Sequence, residues 1–512
     1  MIRKHYAIID MGSNSFRLVI NEIDNNGRYQ ELYNFKTVAR LSTFINDDGV
    51  LQEAGISLIL ETLQRFKEVL DYHQIDDVTI IATAAMRKAQ NQKDIAKLVQ
   101  DRLGLSIRIL SEYEEAFYGY LAVINSTSIQ NGITIDIGGG STEVTLFTDR
   151  ELKHFHSFPF GAITLQQQFF SEGQAPAAIS ELKKYINQQL QTLSWLKGRE
   201  DYPIIGIGGS ARNLALIHQR QSDYPLAGIH QYEMGNEDLS TINTMLQQST
   251  IEQRLLLDGL SKDRVEIIIP AAEVISSLVS YVEANTFIMS RKGLRDGVFY
   301  EALLEKMDTK RFPNVVEESI HQITNSYHVQ IDHANHISTL ALQLYKQLAP
   351  YAQVSHDEQE ALKLLNYSAR VLYIGESISI EASSQNTFYL LTNMTIEGLS
   401  HKERLAVAFI SSFKSKSLMM HYAEPFKQLI QKKELKLFEF LGSIMKLAYS
   451  LDRTRRKVIS KVGEVTQLSG EILIPLYYKE DPFFENIQAS KSKKQIEKAI
   501  KQTIEFQYMP SK

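Results

Sequence analysis

The 512-residue chain contains no cysteine, which excludes disulfides, thiolate metal ligands and cysteine nucleophiles. No apolar run approaches the roughly 18 residues that a membrane span requires. The opening Met1-Ile2-Arg3-Lys4-His5 leads into a strand pattern rather than a signal peptide. An excess of basic charge is also missing. The formal net charge of −5 gives no overall basic character to suggest nucleic acid, although a polyanion needs only a local basic channel. What is present, 44% hydrophobic and 22% charged residues, is an ordinary globular composition, and the length implies about three or four domains. These features together lead us to expect a cytosolic protein with neither membrane nor nucleic acid as partner.

The stretch that organises the chain is Ile133-Thr134-Ile135-Asp136-Ile137-Gly138-Gly139-Gly140-Ser141-Thr142-Glu143-Val144. An apolar strand ends in an aspartate, a glycine turn follows, and apolar alternation resumes. The glycines let the backbone approach a ligand and turn its N–H groups outward as an anion nest. Asp136 is placed to hold Mg2+, a hard ion that accompanies phosphate oxygens. Alone, this pattern reads equally well as a plain hairpin with a glycine turn. It recurs, however, at Asp10-Met11-Gly12-Ser13-Asn14-Ser15-Phe16-Arg17, with Asp10 and Asp136 separated by 126 positions (136 minus 10). Two such units at that interval suggest related halves facing across a cleft. A third glycine turn, Gly206-Ile207-Gly208-Gly209-Ser210-Ala211-Arg212-Asn213, follows another apolar strand and leads into a helical segment.

Further candidates stand between these turns. Arg87 lies where the short strand Val78–Ala82 hands over to a helix, and its planar fork suits a phosphate; a solvated arginine at a helix start is the alternative. Ser111-Glu112-Tyr113-Glu114-Glu115-Ala116 reads as a capped helix start whose acidic residues serve the helix dipole.

The ordered set of Asp10–Leu18, Ala82–Arg87, Glu114–Ala116, Asp136–Glu143 and Gly208–Asn213 resembles the exopolyphosphatase/guanosine pentaphosphate phosphatase family. That resemblance covers roughly the first 305 residues. It implies an α/β fold of two duplicated ribonuclease H-like domains of the actin and sugar-kinase superfamily, at 1–125 and 126–305, with a linker at about 306–314. It also implies a helical HD-like domain at 315–450 and a small α+β segment at 451–512. The activity implied is Mg2+-assisted hydrolysis of terminal phosphates of inorganic polyphosphate, by a homodimer. Guanosine pentaphosphate, giving the tetraphosphate, is the alternative substrate within the family. An ATP-dependent kinase and a silent polyphosphate or alarmone sensor are alternatives from other classes. Placed by the family pattern, Glu114 would activate water, with Glu112 standing where the family commonly has glycine. Arg17 and Arg87 would offset charge on the transferred group. The turns Gly12, Ser13, Asn14 and Ser15, then Gly138, Gly139, Gly140 and Ser141, then Gly208, Gly209 and Ser210 would hold phosphate. Asp10, Asp136 and Glu143 would position Mg2+, and Arg264 would line the cleft unless a salt bridge to Asp263 or Glu266 claims it.

In the C-terminal part, helical periodicity dominates at Gln330–Leu348 and His356–Val371. His333 and His336 survive from the HD-type metal set, but Val371–Gly375 and Ser384–Asn386 replace its other positions, so no metal is expected there. Val465–Leu476 alternates like a strand, and Lys491–Thr503 reads as a basic helix with a solvated lysine face or a polyanion track.

Overall fold

The computed structural model describes residues 4–171, 176–468 and 470–511. Met1–Arg3 of the opening pattern and Ser469 of the expected strand at 465–476 lie outside the described residues. The chain divides into two units, Met1–Tyr224 with Ile229–Val315, and Pro225–Gly228 with Val316–Lys512. No helix among the described residues is long and apolar enough to cross a membrane.

In the first unit, Lys4–Met11 (β1), Ser15–Ile23 (β2) and Tyr29–Val38 (β3) form an antiparallel meander, and Val78–Ala82 (β4) and Ile107–Ile109 (β5) extend it in parallel, giving the order β3-β2-β1-β4-β5. The plan repeats in the second sheet. Gly132–Ile137 (β6), Thr142–Thr148 (β7) and Glu151–Phe158 (β8) form the meander. Ile204–Ile207 (β9), Tyr232–Gly235 (β10) and Thr286–Met289 (β11) complete the order β10-β11-β9-β6-β7-β8. This is the duplicated ribonuclease H-like α/β architecture. The strands β1 and β6 sit mid-sheet and are mostly buried because both faces are covered, as parallel neighbours require.

Each sheet has its own core, one built on Ile9, Leu18 and Leu63, the other on Ile135, Leu165 and Leu278. A third cluster joins them, combining Ile8 and Ile81 with Ile205, Phe147 and Tyr118. Its helices Glu112–Ile124 and Leu294–Lys306 meet at Gly297, where a Cβ would stand 2.0 Å from the Tyr118 carbonyl oxygen, so only glycine allows that approach. Residues 306–314 differ from the free linker expected. Phe312 is buried, its N–H donates to Asn125 Oδ1 (2.8 Å), and its carbonyl accepts from Arg150 (2.9 Å), which lashes this segment to the first unit.

The second unit packs amphipathic helices, among them Ile331–Leu348, Glu358–Arg370, His401–Ser411 and Lys432–Leu451, and ends in a small sheet with one helix. Instead of one strand over 465–476 there are two, Thr466–Leu468 (β13, after β12 at Ile459–Val462) and Glu471–Tyr478 (β14), with Gly470 at φ +89° serving the turn. The basic helix starts earlier than expected, at Phe483, and stops at Ile500. Lys501 is left-handed (φ 57°), and Thr503–Pro510 (β15) returns as a strand parallel to β14. His333 Nδ1 pairs with the buried Asp452 (2.8 Å), and no group of three or more metal-ligating side chains is found among the described residues.

Candidate active site

The two motif hairpins share the same spacing of aspartate, glycine and serine along the chain. In each, the glycine two positions after the aspartate donates its N–H to the serine carbonyl three residues on, Gly12 to Ser15 (3.1 Å) and Gly138 to Ser141 (3.0 Å). Asp10 sits opposite Arg17 in its ladder, and Asp136 opposite Glu143. The turns face each other across a cavity of 180 Å3. At about 30 Å3 per water this is room for a phosphoryl group and a few waters. A Cβ on Gly139 would stand 3.3 Å from Ser13 Cβ, so the opposing turns nearly touch at one side.

Gly12, Ser13, Asn14, Ser15, Gly138, Gly139, Gly140, Ser141, Gly208, Gly209, Asp10, Asp136 and Arg264 all line this cleft. The third turn shapes it closely. Gly208 (φ +83°) lies against Asp136, whose Oδ1 would be 2.4 Å from a Cβ there. Gly209 lets the Arg264 guanidinium lie flat across the backbone, since a Cβ would stand 2.2–2.5 Å from it. Arg264 Nη1 donates to Ser210 Oγ (3.0 Å), which places Ser210 behind the lining as its support. Asp263 takes Lys36 instead (2.6 Å).

Glu114 requires a correction. Its carboxylate accepts from the Ser111 N–H (2.8 Å) and hydroxyl (2.7 Å) and from Arg108 (2.5 Å), closing a capping box at the start of its helix. Burial works against its ionisation, but these bonds outweigh it and pull the pKa down to about 2. One residue on, about 100° around the helix, Glu115 turns into the cleft. Burial pushes Glu115 up to about 7 against the pull of Arg87, with Asp136 and Asp10 adding to the rise.

Arg87 does not line the cleft. Its Nη1 holds Glu115 (2.9 Å) and the Leu110 carbonyl (2.8 Å), so it orients that carboxylate. Arg17 donates to Asn34 (3.0 Å) beside the cleft, its pKa lowered by burial and then by Arg295 and Arg212. Glu143 lies buried behind the floor, accepting from Ser157 (3.0 Å); burial first, then Glu115 and Asp136, hold its pKa well above the usual carboxylate range.

Sequence reasoning missed Glu115, Lys88, Arg212, Arg291 and Arg295. The three arginines line the cleft with Arg264. Arg295 Nη1 holds Asp10 Oδ2 at 2.7 Å, whereas Asp10 Oδ1 is buried without a partner. Asp136, pushed by burial to about 6, faces the same space. A divalent cation fits this pair if phosphate oxygens and water complete its shell, because Mg2+ keeps most of its ligands from such sources.

Residues 19–306 match the model of the Ppx/GppA phosphatase family, and residues 315–490 that of Ppx/GppA phosphatase, domain III. The chain is similar to guanosine-5'-triphosphate,3'-diphosphate pyrophosphatase of Pseudoalteromonas atlantica, 26% identical over 410 residues, covering 78% of this chain and 77% of the relative. The protein of that name from Aliivibrio fischeri is 24% identical over 416 residues, covering 78% of each. Among solved structures it resembles the Aquifex aeolicus Ppx/GppA family member (24% identity, TM-score 0.52, 60% of this chain and 99% of that one). It also resembles an exopolyphosphatase from Cytophaga hutchinsonii (23% identity, TM-score 0.54, 59% and 98%). These structural likenesses concern the fold alone. With its first 300 or so residues and its C-terminal part both matched, the chain belongs to the Ppx/GppA phosphatase family.

Proposed function

We propose that this chain is an exopolyphosphatase, releasing terminal phosphates one at a time from linear polyphosphate with the help of Mg2+. The observation that carries the reading is Glu115, a carboxylate held by Arg87 in a cleft between two phosphate-type turns. Amides of both turns would grip the terminal phosphoryl group. Arg264, Arg295, Arg212 and Arg291 would balance charge on its oxygens and on the rest of the chain. Glu115 would take a proton from water as its oxygen bonds to phosphorus and the bridging P–O bond breaks, the electron pair leaving with the shortened chain. No covalent phosphoenzyme is needed. Asp10 and Asp136 would hold Mg2+, which when bound supplies charge neutralisation at the phosphate oxygens. A lining of loop backbone, small polar side chains and four guanidinium groups suits a bare phosphate chain.

The second reading is hydrolysis of guanosine pentaphosphate, favoured by the names of the two relatives above. It would use the same cleft. The test is phosphate release with Mg2+ from long-chain polyphosphate and from guanosine pentaphosphate, side by side at equal enzyme. Faster release from polyphosphate is expected; preference for the nucleotide would move the function to alarmone hydrolysis, and release from neither would overturn both readings.

A further inference from the structure

In the second phosphate turn, all three glycine carbonyls are engaged from outside the cleft. Gly138 O accepts from Ala162 N (2.9 Å), and Gly139 O accepts from Ile163 N (3.0 Å) and Thr164 N (3.3 Å), at the start of the helix Ala162–Phe170. Gly140 O accepts from Lys88 Nζ (2.9 Å). A trans peptide holds its C=O and N–H in opposite directions. Each carbonyl drawn outward therefore aims the next N–H inward, those of Gly139, Gly140 and Ser141 in turn. The first two depend on a helix of the same half. The third depends on a lysine from the other half, carried by the five-residue helix Ala84–Lys88 that follows β4.

Among the described residues, the first turn shows no such dependence. Asn14 O accepts from Ala39 N and Arg40 N (3.0 Å each), and Ser13 O from Ser42 N (3.5 Å), all within its own half. The place where Lys88 arrives is also where the turns converge, since a Cβ on Gly140 would stand 3.7 Å from Lys88 Nζ and 3.9 Å from Ser13 Oγ.

We propose that Lys88 is a positioning residue for phosphoryl transfer: by holding the Gly140 carbonyl it aims the Ser141 N–H into the cleft, so that the amide nest is complete only when the two halves are together. The inference rests on the reading of the cleft as a phosphoanhydride hydrolase site. Lys88 is not required to touch the substrate. Its contribution is orientation of a donor that strengthens its bond as charge develops on the transferred group.

The test uses the full chain as Lys88→Met and Lys88→Arg. For Lys88→Met, kcat on polyphosphate should fall about tenfold or more while KM stays within about twofold, since loss of one aimed donor in such sites costs up to 10²–10³ in kcat. Lys88→Arg, which can still donate to the carbonyl, should retain most of the rate. The melting temperature should not move. In serine-labelled protein, the Ser141 amide resonance should shift on adding inorganic phosphate in the wild type and not in Lys88→Met. A wild-type kcat in Lys88→Met, a change in KM alone, or an unaltered Ser141 response would overturn the proposal. If the wild type hydrolyses neither substrate, the functional reading fails, and the phosphate-induced Ser141 shift still decides the role of Lys88 separately.

Discussion

Replacing Glu115 and Glu114 one at a time by glutamine separates the two carboxylates by their surroundings. Glu115 has the properties of a general base: it is in the cleft, its pKa is near 7, and Arg87 aims it. Removing a general base costs typically 10²–10⁴ in rate, so Glu115→Gln should lose activity on that order with substrate binding kept. In the wild type, kcat/KM, which reports the free enzyme, should fall about tenfold per pH unit below about pH 7 as Glu115 takes up its proton; in Glu115→Gln that limb should flatten. Glu114→Gln should behave almost as wild type, because glutamine can also close a capping box and an exposed pair such as Arg108–Glu114 contributes only about 0–1 kcal/mol. Stability gives an independent reading. Between its ordinary value of 4.5 and about 7, the folded chain carries a proton on Glu115 that the unfolded chain has lost. The unfolded state binds fewer protons there, so stability falls as pH rises through that window. The difference corresponds to on the order of 3 kcal/mol, and Glu115→Gln should therefore melt higher than wild type at pH 8, less whatever Arg87 loses. Phosphate-release kinetics and thermal melts across pH 4–9 read both effects. An inactive Glu114→Gln beside a competent Glu115→Gln would refute the assignment.

Three other outcomes follow from the cleft. Asp136→Asn should weaken binding of Mg2+ or Mn2+, measured by calorimetry with inorganic phosphate present, and raise the cation concentration needed for half-maximal rate; an unchanged requirement would remove Asp136 from the cation site. Gly161→Ala puts a Cβ 2.6–2.7 Å from the backbone of Gly138, Gly139 and Gly140, so the turn must shift. Its kcat should drop by at least an order of magnitude, with a lower melting temperature, and normal values of both would show the turn to be adaptable. Arg17→Met and Glu143→Gln should fail differently. Charged hydrogen bonds contribute about 1.5–3 kcal/mol, so loss of Arg17 should raise KM about tenfold or more. Glu143, buried behind the floor, should act on kcat with KM little changed; the reverse pattern in steady-state kinetics would reject this division.

The fold was legible because its strongest signals are local and repeated. Asp10 to Ser15 and Asp136 to Ser141 share the spacing of aspartate, glycine and serine, and in both the structure closes the same backbone bond. The choice between Glu114 and Glu115 was harder, since adjacent helical residues differ only by a rotation that tertiary packing decides. A signal was nevertheless present: Ser111 with Glu114 three residues on is a capping signature, which commits Glu114 to the backbone and leaves Glu115 free to face inward. Arg212 stands within the third glycine turn, yet neither it nor Arg291 and Arg295 was assigned to the cleft. All three reach it from helix starts and loops more than 190 positions from Asp10. Lys88 likewise meets Gly140 across 52 positions. The segment 306–314 looked like linker because it is short and polar around a single phenylalanine, yet burial of Phe312 against Arg150 and Asn125 makes it part of the first unit.

The duplication also shows where the two halves had to diverge. Arg17 and Glu143 occupy the same ladder position opposite their aspartates and, like Asp10 and Asp136, lie 126 residues apart (143 minus 17). Two equal halves around a phosphoryl group would stabilise it without favouring attack from either side. Opposite charges at this one position break the equivalence. Arg17 adds to the arginines beside the cleft, where Arg295 and Arg212 already crowd it. Glu143 adds to the carboxylates of Asp136 and Glu115, and burial first, then their proximity, keeps its own proton bound. The exchange of sign thus puts a guanidinium opposite Asp10 and a carboxyl group opposite Asp136 in otherwise matching hairpins. In-line phosphoryl transfer has an attacking side and a leaving side, and this ladder position is one at which the two repeated hairpins differ in charge.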